Sequence, residues 1–275
     1  MTRVTSMNRV TQFGGVIVVA AVLGAIIGPW LSPHDPSTQE LALRLAGPST
    51  SHPLGLDELG RDILARVLSG ARVSLFVGFA VVVISALVGT FLGALAGYVG
   101  GVTDDVISRI MDVLLAFPGI LLAIALVAVL GPSVANVVLA LCVIGWVGYA
   151  RLVRGQVLRL REFEFVQAAR ALGAATHRVL LRHVLPSTLP ALLVQATLGM
   201  ASAIIAEASL SFLGLGVQPP TPSWGTMLDS GRSHLIDAPH LTIVPGVAVA
   251  LVVLGFNFLG DGLRDAIDPR TQPGA

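Results

Sequence analysis

Long apolar stretches alternate along the chain with shorter polar segments. A helix needs about 20 apolar residues to cross a bilayer, and five stretches without Asp, Glu, Lys, Arg or His reach that length. They are residues 10–33, 73–103, 113–150, 184–206 and 241–260. The third is too long for one helix and is interrupted by Gly131-Pro132, so it predicts a helical hairpin. The pattern therefore predicts six transmembrane helices.

Two other apolar features are interpreted differently. Residues 208–228 also lack charge, but the glycines and prolines within them favour a loop or a re-entrant segment over a seventh helix. The N-terminal stretch follows Arg3 and Arg9, as a secretory signal would. Its apolar part is too long for such a signal and no small-residue cleavage site follows, so it predicts an anchoring first span.

The composition places the chain in a membrane. Only 12% of its 275 residues are charged, whereas a soluble domain has about a quarter. The net charge of +1 argues against nucleic acid as a partner. A single cysteine, Cys142, excludes an internal disulfide. There is no lysine, and a phosphate-binding P-loop requires one, so the chain cannot itself be an ATPase of that class.

Arginine is concentrated in one loop, which predicts the orientation. Seven arginines lie within residues 151–183, with only Glu162 and Glu164 as acids. Because basic residues favour cytoplasmic loops, this loop is expected inside the cell, and six spans then place both termini there as well. The four arginines of the first outer loop, residues 34–72, oppose this assignment, but the denser cluster is taken to decide it.

The same loop contains a segment that favours a short helix. Residues between Glu164 and Ala175 are mostly good helix formers, and Gly173 can end the helix. Phe165, Ala169 and Leu172 recur at helical spacing and predict an apolar stripe. The residues alone leave two interpretations open, a helix lying at the lipid headgroups or a surface that holds a partner protein.

The loop resembles the EAA loop of ABC importer permeases. That pattern is Glu-Ala-Ala, three residues, Gly and a later Leu-Pro. The chain matches it at Ala168, Ala169, Gly173, Leu185 and Pro186. It departs from it where Gln167 stands for Glu and where His183 stands for the usual Ile.

Three further segments are similar to the C-type permease of dipeptide, oligopeptide and nickel importers. They are residues 55–75, 207–216 and 260–270, and the likeness runs from about Pro53 to Arg270. The resemblance implies an all-α type I ABC importer permease with six transmembrane helices in a bacterial inner membrane. It implies that the loop forms a coupling helix in a cleft of an ATPase subunit. The residues assigned to this contact are Glu164, Phe165, Gln167, Ala168, Ala169, Arg170, Leu172 and Gly173.

The resemblance also implies a set of partners and a division of the chain. The partners are a second homologous permease, two ATP-binding subunits or one two-headed ATPase, an extracytoplasmic binding protein and membrane lipid. No cofactor is expected on this chain, since ATP and Mg²⁺ would be used by the ATPase subunits. The expected divisions are 1–33 (tail and first span), 34–72 (outer segment), 73–260 (five-helix core with coupling loop 151–189) and 261–275 (cytoplasmic tail).

Several residues outside the loop carry charge and receive structural interpretations. Residues 63–71 predict an amphipathic outer helix, in which Asp62 and Arg66 can pair; contact with a binding protein is left open. Glu207, at the outer end of the fifth span, is expected to be structural. Asp261, Arg264 and Asp268 belong to a solvated tail helix. The histidines lack ligand spacing in the sequence, so no metal site is expected.

The alternative to an ATP-driven permease is a proton-driven secondary carrier. Such a carrier would have paired ionisable groups within its spans and inverted repeats. Glu207 is the only acid near the middle of an apolar stretch and no repeat is evident, so a permease for di- or oligopeptides is favoured. The cargo itself (peptide, nickel, haem or another solute) and the pore-lining residues stay undetermined by the sequence.

Overall fold

A computed structural model describes residues 9–267, and helices form its regular structure. Ten α-helices are ordered along this part of the chain; a π-helical turn, Leu180–Val184, joins the seventh to the eighth. They are α1 (Arg9–Leu31), α2 (Ile63–Val99), α3 (Gly101–Leu115), α4 (Gly119–Leu130), α5 (Val134–Leu160), α6 (Glu164–Ala171), α7 (Thr176–Val179), α8 (Leu185–Phe212), α9 (Trp224–Gly231) and α10 (His240–Ile267). Between residues 9 and 267 there is no β-strand, only an isolated bridge between Leu56 and Asp62.

Five of these helical segments are long and apolar enough to cross a membrane. They comprise α1, α2, α5, the segment from α7 through α8, and α10. A sixth crossing is formed if α3 and α4, which meet at a bend of 86°, are counted together. The 12 residues of α4 extend only about 18 Å, less than the bilayer core of about 30 Å, so α4 cannot cross alone. The expected all-α fold is confirmed, and it has the expected six spans when α3 and α4 are counted as one.

The third predicted stretch has one break where it was expected and another that was missed. Gly131 has φ +90° and separates α4 from α5, as the sequence predicted. The start of the hairpin at Val113 is wrong, because residues 113–115 end α3. Pro118 precedes α4, and since proline lacks an N–H it cannot continue the hydrogen-bonding pattern of α3.

The second span begins earlier than the sequence predicted. Asp62 caps it by accepting a hydrogen bond from Ala65 N at 2.7 Å, and the helix then continues without a break from Ile63 to Val99. The amphipathic residues 63–71 are therefore the first turns of α2. The predicted pairing of Asp62 with Arg66 is wrong. Arg66 Nε lies 3.3 Å from Asp57 Oδ2 instead, because the outer loop brings Asp57 back over the start of the helix.

Small residues allow α2 and α5 to pack closely. A Cβ added at Gly89 would lie 2.5 Å from the carbonyl oxygen of Trp146, and one at Gly93 would lie 2.4 Å from that of Ala150. Gly89 and Gly93 therefore serve close contact between the two helices, as small residues commonly do in membrane proteins.

Ala123, Val127 and Val137, on α4 and α5, belong to the same buried core as residues of α2 and α8.

Candidate functional site

The candidate site is the short helix α6, which follows the arginine-rich end of α5. The chain turns after Leu160, and α6 then runs over Glu164–Ala171. The predicted helix is present and ends at Ala171, two residues before Gly173, the residue expected to end it. Glu164, Gln167 and Ala168 are exposed, whereas Ala169 is half-buried.

A buried valine anchors α6 against the ends of its neighbours. Val166 is fully buried and belongs to a cluster formed by residues of α2, α5 and the segment that leads into α8. The cluster comprises Ala94, Val153, Val157, Leu160, Val166, Val179 and Val184. Burying a valine side chain contributes roughly 1.5–3 kcal/mol, so this contact holds the helix in place.

Two arginines, one in the turn before α6 and one on α6, contact the last turn of α2. Arg161 donates from Nη1 to the carbonyl oxygen of Gly97 at 3.1 Å. Arg170 donates from Nε to the Tyr98 hydroxyl at 3.2 Å, and its guanidinium carbon lies 4.8 Å from the centre of the Tyr98 ring. These contacts place α6 and the turn before it against the end of α2.

The outward side of α6 exposes large apolar side chains. Phe163 and Phe165 are 43% and 44% exposed, and Leu172 is 88% exposed. The two phenylalanine rings pack edge to face, with their centres 5.9 Å apart. We call Phe163, Phe165 and Leu172 the apolar tip. Single exposed apolar residues are common, but three grouped on one short helix and its flanks form a surface suited to a partner.

Of the predicted apolar stripe of α6, Phe165 and Leu172 are exposed and Ala169 is half-buried. Val166, which the sequence interpretation passed over, forms the buried face together with Ala169. Phe165 and Leu172 point outward. The reason is that Arg170, one turn after Val166, is held by Tyr98, so the face bearing Val166 turns toward the core.

Gly173 ends the helix for a conformational reason. Its φ is +80°, a left-handed conformation that residues with a Cβ rarely adopt. Gly173 N donates to the Arg170 carbonyl and Ala174 N to the Ala169 carbonyl. No atom lies within 4 Å of a Cβ added at Gly173, so backbone geometry and not crowding requires the glycine.

Leu185 and Pro186, the last residues of the predicted loop motif, begin α8. They follow the π-helical turn Leu180–Val184. A proline near the start of a helix is tolerated because its missing N–H would have no helical partner there. Leu185 packs against the Val166 cluster, so the motif closes the loop onto the same support as α6.

Glu207 lies apart from α6 and has only hydroxyl partners. Its side chain is fully buried, and it accepts hydrogen bonds from Ser74 Oγ at 2.9 Å and from Ser211 Oγ at 2.7 Å. Ser74 Oγ in turn accepts from Trp224 N at 3.4 Å. The carboxylate thus links α8 to α2 and α9, a contact consistent with the structural interpretation.

The charged residues of the C-terminal region also lie away from α6. Asp261 and Arg264 are exposed on the final turns of α10, which continues from the span itself to Ile267. Asp268 lies outside the described residues.

Ion pairs connect α3 to the arginine-rich end of α5. Arg154 Nη2 donates to Asp104 Oδ2 at 2.6 Å, and its Nε donates to the other carboxylate oxygen. Arg151 Nη2 lies 3.3 Å from Asp112 Oδ1. Part of the arginine content that predicted a cytoplasmic loop is therefore used within the protein.

Comparisons with known proteins agree on one family. Residues 89–273 match the family described as binding-protein-dependent transport system inner membrane component. Residues 3–48 match the N-terminal TM domain of oligopeptide transport permease C.

Curated relatives cover nearly the whole chain. A dipeptide transport system permease protein, DppC, from Alkalihalophilus pseudofirmus is 47% identical over 96% of this chain and 87% of its own length. A glutathione transport system permease protein, GsiD, from Pectobacterium atrosepticum is 48% identical over 96% of this chain and 88% of its own. The GsiD of Escherichia coli O157:H7 is 50% identical over the same shares.

A solved structure has the same fold. It is an inward-facing form of the MetNI methionine ABC transporter, with a TM-score of 0.58 and 19% identity. The match covers 74% of this chain and 96% of that chain.

Proposed function

Because the chain belongs to the inner membrane components of binding-protein-dependent transport systems and is a non-catalytic permease of an ABC importer, we propose that α6 receives the movement of a separate ATPase subunit. The proposed contact comprises Glu164, Phe165, Gln167, Ala168, Ala169, Arg170, Leu172 and Gly173. The proton-driven carrier gains no support from these relatives. Within residues 9–267, Glu207 is hydrogen-bonded to serines and forms no ion pair of the kind that such a carrier needs.

The exposed apolar tip carries the proposal. Leu172 is 88% exposed, and burying a leucine in a partner's cleft contributes about 1.5–3 kcal/mol. Val166 and Arg170 hold the helix from behind and Arg161 holds the turn before it, so a force on the tip would reach α2 without first unfolding the loop. A helix that served only as a membrane anchor would not need these ties.

The order of the spans supports a cytoplasmic position for α6. Four crossings precede it when α3 and α4 count as one, and two follow, in α8 and α10. Both described ends therefore fall on the side of α6. The arginine density of residues 151–183 makes that side cytoplasmic.

The cargo we propose is a di- or oligopeptide-like solute. The support is the naming of two relatives for dipeptide and glutathione transport. Six crossings form half of a translocation pathway, so a second homologous permease is expected beside this one. Two ATP-binding subunits would use ATP and Mg²⁺, and an extracytoplasmic binding protein would deliver the cargo.

Substitution at the apolar tip tests the contact. Leu172→Asp is expected to weaken binding of the ATPase subunit by about 10- to 150-fold, because the stabilisation from one leucine is lost. The measurement is the affinity of purified ATPase for the permease pair in nanodiscs, together with peptide uptake into proteoliposomes. Gly173→Val should separate peptide uptake from ATP hydrolysis. The strained loop would reduce uptake, while ATP hydrolysis by the assembled complex continues.

Ile236→Asp is the matched control. Ile236 is 98% exposed and lies between α9 and α10, on the side opposite α6. Its substitution should leave ATPase affinity unchanged. If Leu172→Asp and Gly173→Val both keep normal ATPase affinity and normal uptake, α6 is not the coupling element.

A further inference from the structure

Two histidines and an aspartate converge in the segment between α1 and α2. They are His34, His52 and Asp62, and their potential ligand atoms all lie within 4.8 Å of one another. His52 Nδ1 is 2.9 Å from Asp62 Oδ2, and His34 Nδ1 is 3.8 Å from the same oxygen. The two imidazole rings are tilted by 35°, with centres 4.5 Å apart. The sequence did not reveal this group, because the loop joins positions that share no regular spacing.

We propose that these three side chains bind a divalent transition-metal ion, Zn²⁺ being the ion that fits them best. Neutral imidazole and carboxylate are ligands that Zn²⁺ accepts in a tetrahedral arrangement. Bonds of about 2.1 Å to Zn²⁺ place tetrahedral ligand atoms about 3.4 Å apart. The separations of 2.9 and 3.8 Å lie on either side of that value, so small side-chain movements would complete the site.

A hydrogen bond explains only part of the arrangement. His52 Nδ1 is within hydrogen-bonding distance of Asp62, but the separation for His34 is too long for such a bond. Both histidines nevertheless direct the same kind of nitrogen toward one carboxylate oxygen. A metal ion between them would use both nitrogens and that oxygen at once, provided that each imidazole carries its proton on Nε2.

The surroundings hold the ligands in place. The Asp62 side chain is 3% exposed, and its second oxygen, Oδ1, accepts from Ala65 N, which fixes the carboxylate as an outer-shell partner does in known metal sites. His52 lies in a turn in which its carbonyl accepts from Ser49 N and Gly55 N. Its side chain is 10% exposed and that of His34 is 31% exposed.

The acidic side chains that line this cavity, Asp35, Glu40 and Asp62, favour a cation at this position. Arg61 and Arg66, the nearest arginines in sequence, are both paired with Asp57. Within residues 9–267, the ion pairs of Asp62 involve only the two histidines. Glu40 lines the same cavity, which measures about 180 Å³, and it or water would take the fourth position. Such an ion would join the end of α1 to the start of α2.

The test is metal binding by the full chain, purified with its transporter in nanodiscs and titrated with ZnCl₂ alone. One Zn²⁺ per chain is expected, measured by competition with a chromogenic chelator and by elemental analysis. Co²⁺ in its place should give the intense visible absorption of a tetrahedral site. Asp62→Asn is the central variant, because asparagine caps a helix as well as aspartate does but is a poor ligand. It should lower the affinity by more than the roughly 10- to 100-fold that loss of an outer-shell partner costs.

Two further variants complete the test. His34→Ala should lose affinity to a similar degree. His234→Ala is the control, because His234 Nδ1 also lies 2.9 Å from a carboxylate, that of Asp237, but without a second histidine; it should bind Zn²⁺ as the native chain does. Absence of stoichiometric Zn²⁺ in the native chain, or equal affinity in Asp62→Asn, would reduce the group to a hydrogen-bonded pair and overturn the proposal.

Discussion

The close packing of α2 on α5 leaves no room for a side chain at Gly93. A Cβ at Gly93 would lie 2.4 Å from the Ala150 carbonyl oxygen and 2.9 Å from the Ala150 Cα. Both atoms are backbone, so no side chain can turn aside. Ordinary contact begins at 3.4 Å, and 3.4 − 2.4 gives 1.0 Å by which the helices must separate in Gly93→Ala.

The cost of that separation follows from packing. A gap of about 0.5–1 Å removes a quarter to a half of the dispersion energy of each contact, and overpacked cores lose about 1–3 kcal/mol. Alanine is also more favourable than glycine within a helix by about 1 kcal/mol, and this gain would mask part of the loss. The variant Gly155→Ala measures this gain in helix propensity alone, because Gly155 is in α5 and nothing lies within 4 Å of an added Cβ there.

The measurement is unfolding of both variants in lipid–detergent micelles titrated with SDS. Gly155→Ala should be as stable as the native chain or slightly more stable. Gly93→Ala should be less stable than Gly155→Ala by about 1–3 kcal/mol, a factor of roughly 5–150 in the ratio of folded to unfolded protein. Equal stability of the two variants would refute the argument that α2 and α5 are in backbone contact at this point.

Two further substitutions test contacts described above. Glu207→Ala should destabilise the chain by about 1–3 kcal/mol, because it leaves the buried hydroxyls of Ser74 and Ser211 without an acceptor. Glu207→Gln, which keeps an acceptor oxygen, should cost less in the same SDS titration, and equal losses would contradict the role of the hydrogen bonds. Asp104→Arg and Arg154→Asp should each lower stability by up to about 1 kcal/mol, since the pair is partly exposed. The double variant should recover part of that loss, and strictly additive losses would show that the pair is not coupled.

Periodicity and hydropathy predicted the parts of this fold that depend on single segments. The apolar stretches mark the spans, and Gly131 marks the turn between α4 and α5 because its effect is local. The early start of α2 was missed, since Arg66 sits in an apolar helix only because Asp57 folds back to pair with it.

In the candidate site, too, the features set by one segment were predicted and those set by contacts across the fold were not. The helix at Glu164–Ala171 and the glycine after it are local features and were predicted. The choice of Val166 as the buried face depends on Tyr98 and Arg170 meeting across the fold. The approach of His34 to His52 likewise depends on the path of the whole outer loop, which no pattern of residue types records.

The unbroken length of α2 gives the tie at Tyr98 a mechanical consequence. Its 37 residues form a rod about 56 Å long, gripped at one end by Arg161 and Arg170. A tilt of only about 10° about that grip would sweep the opposite tip through about 10 Å. Under the coupling proposed above, a small displacement at this grip would become a larger displacement at the opposite end of α2, next to Asp62.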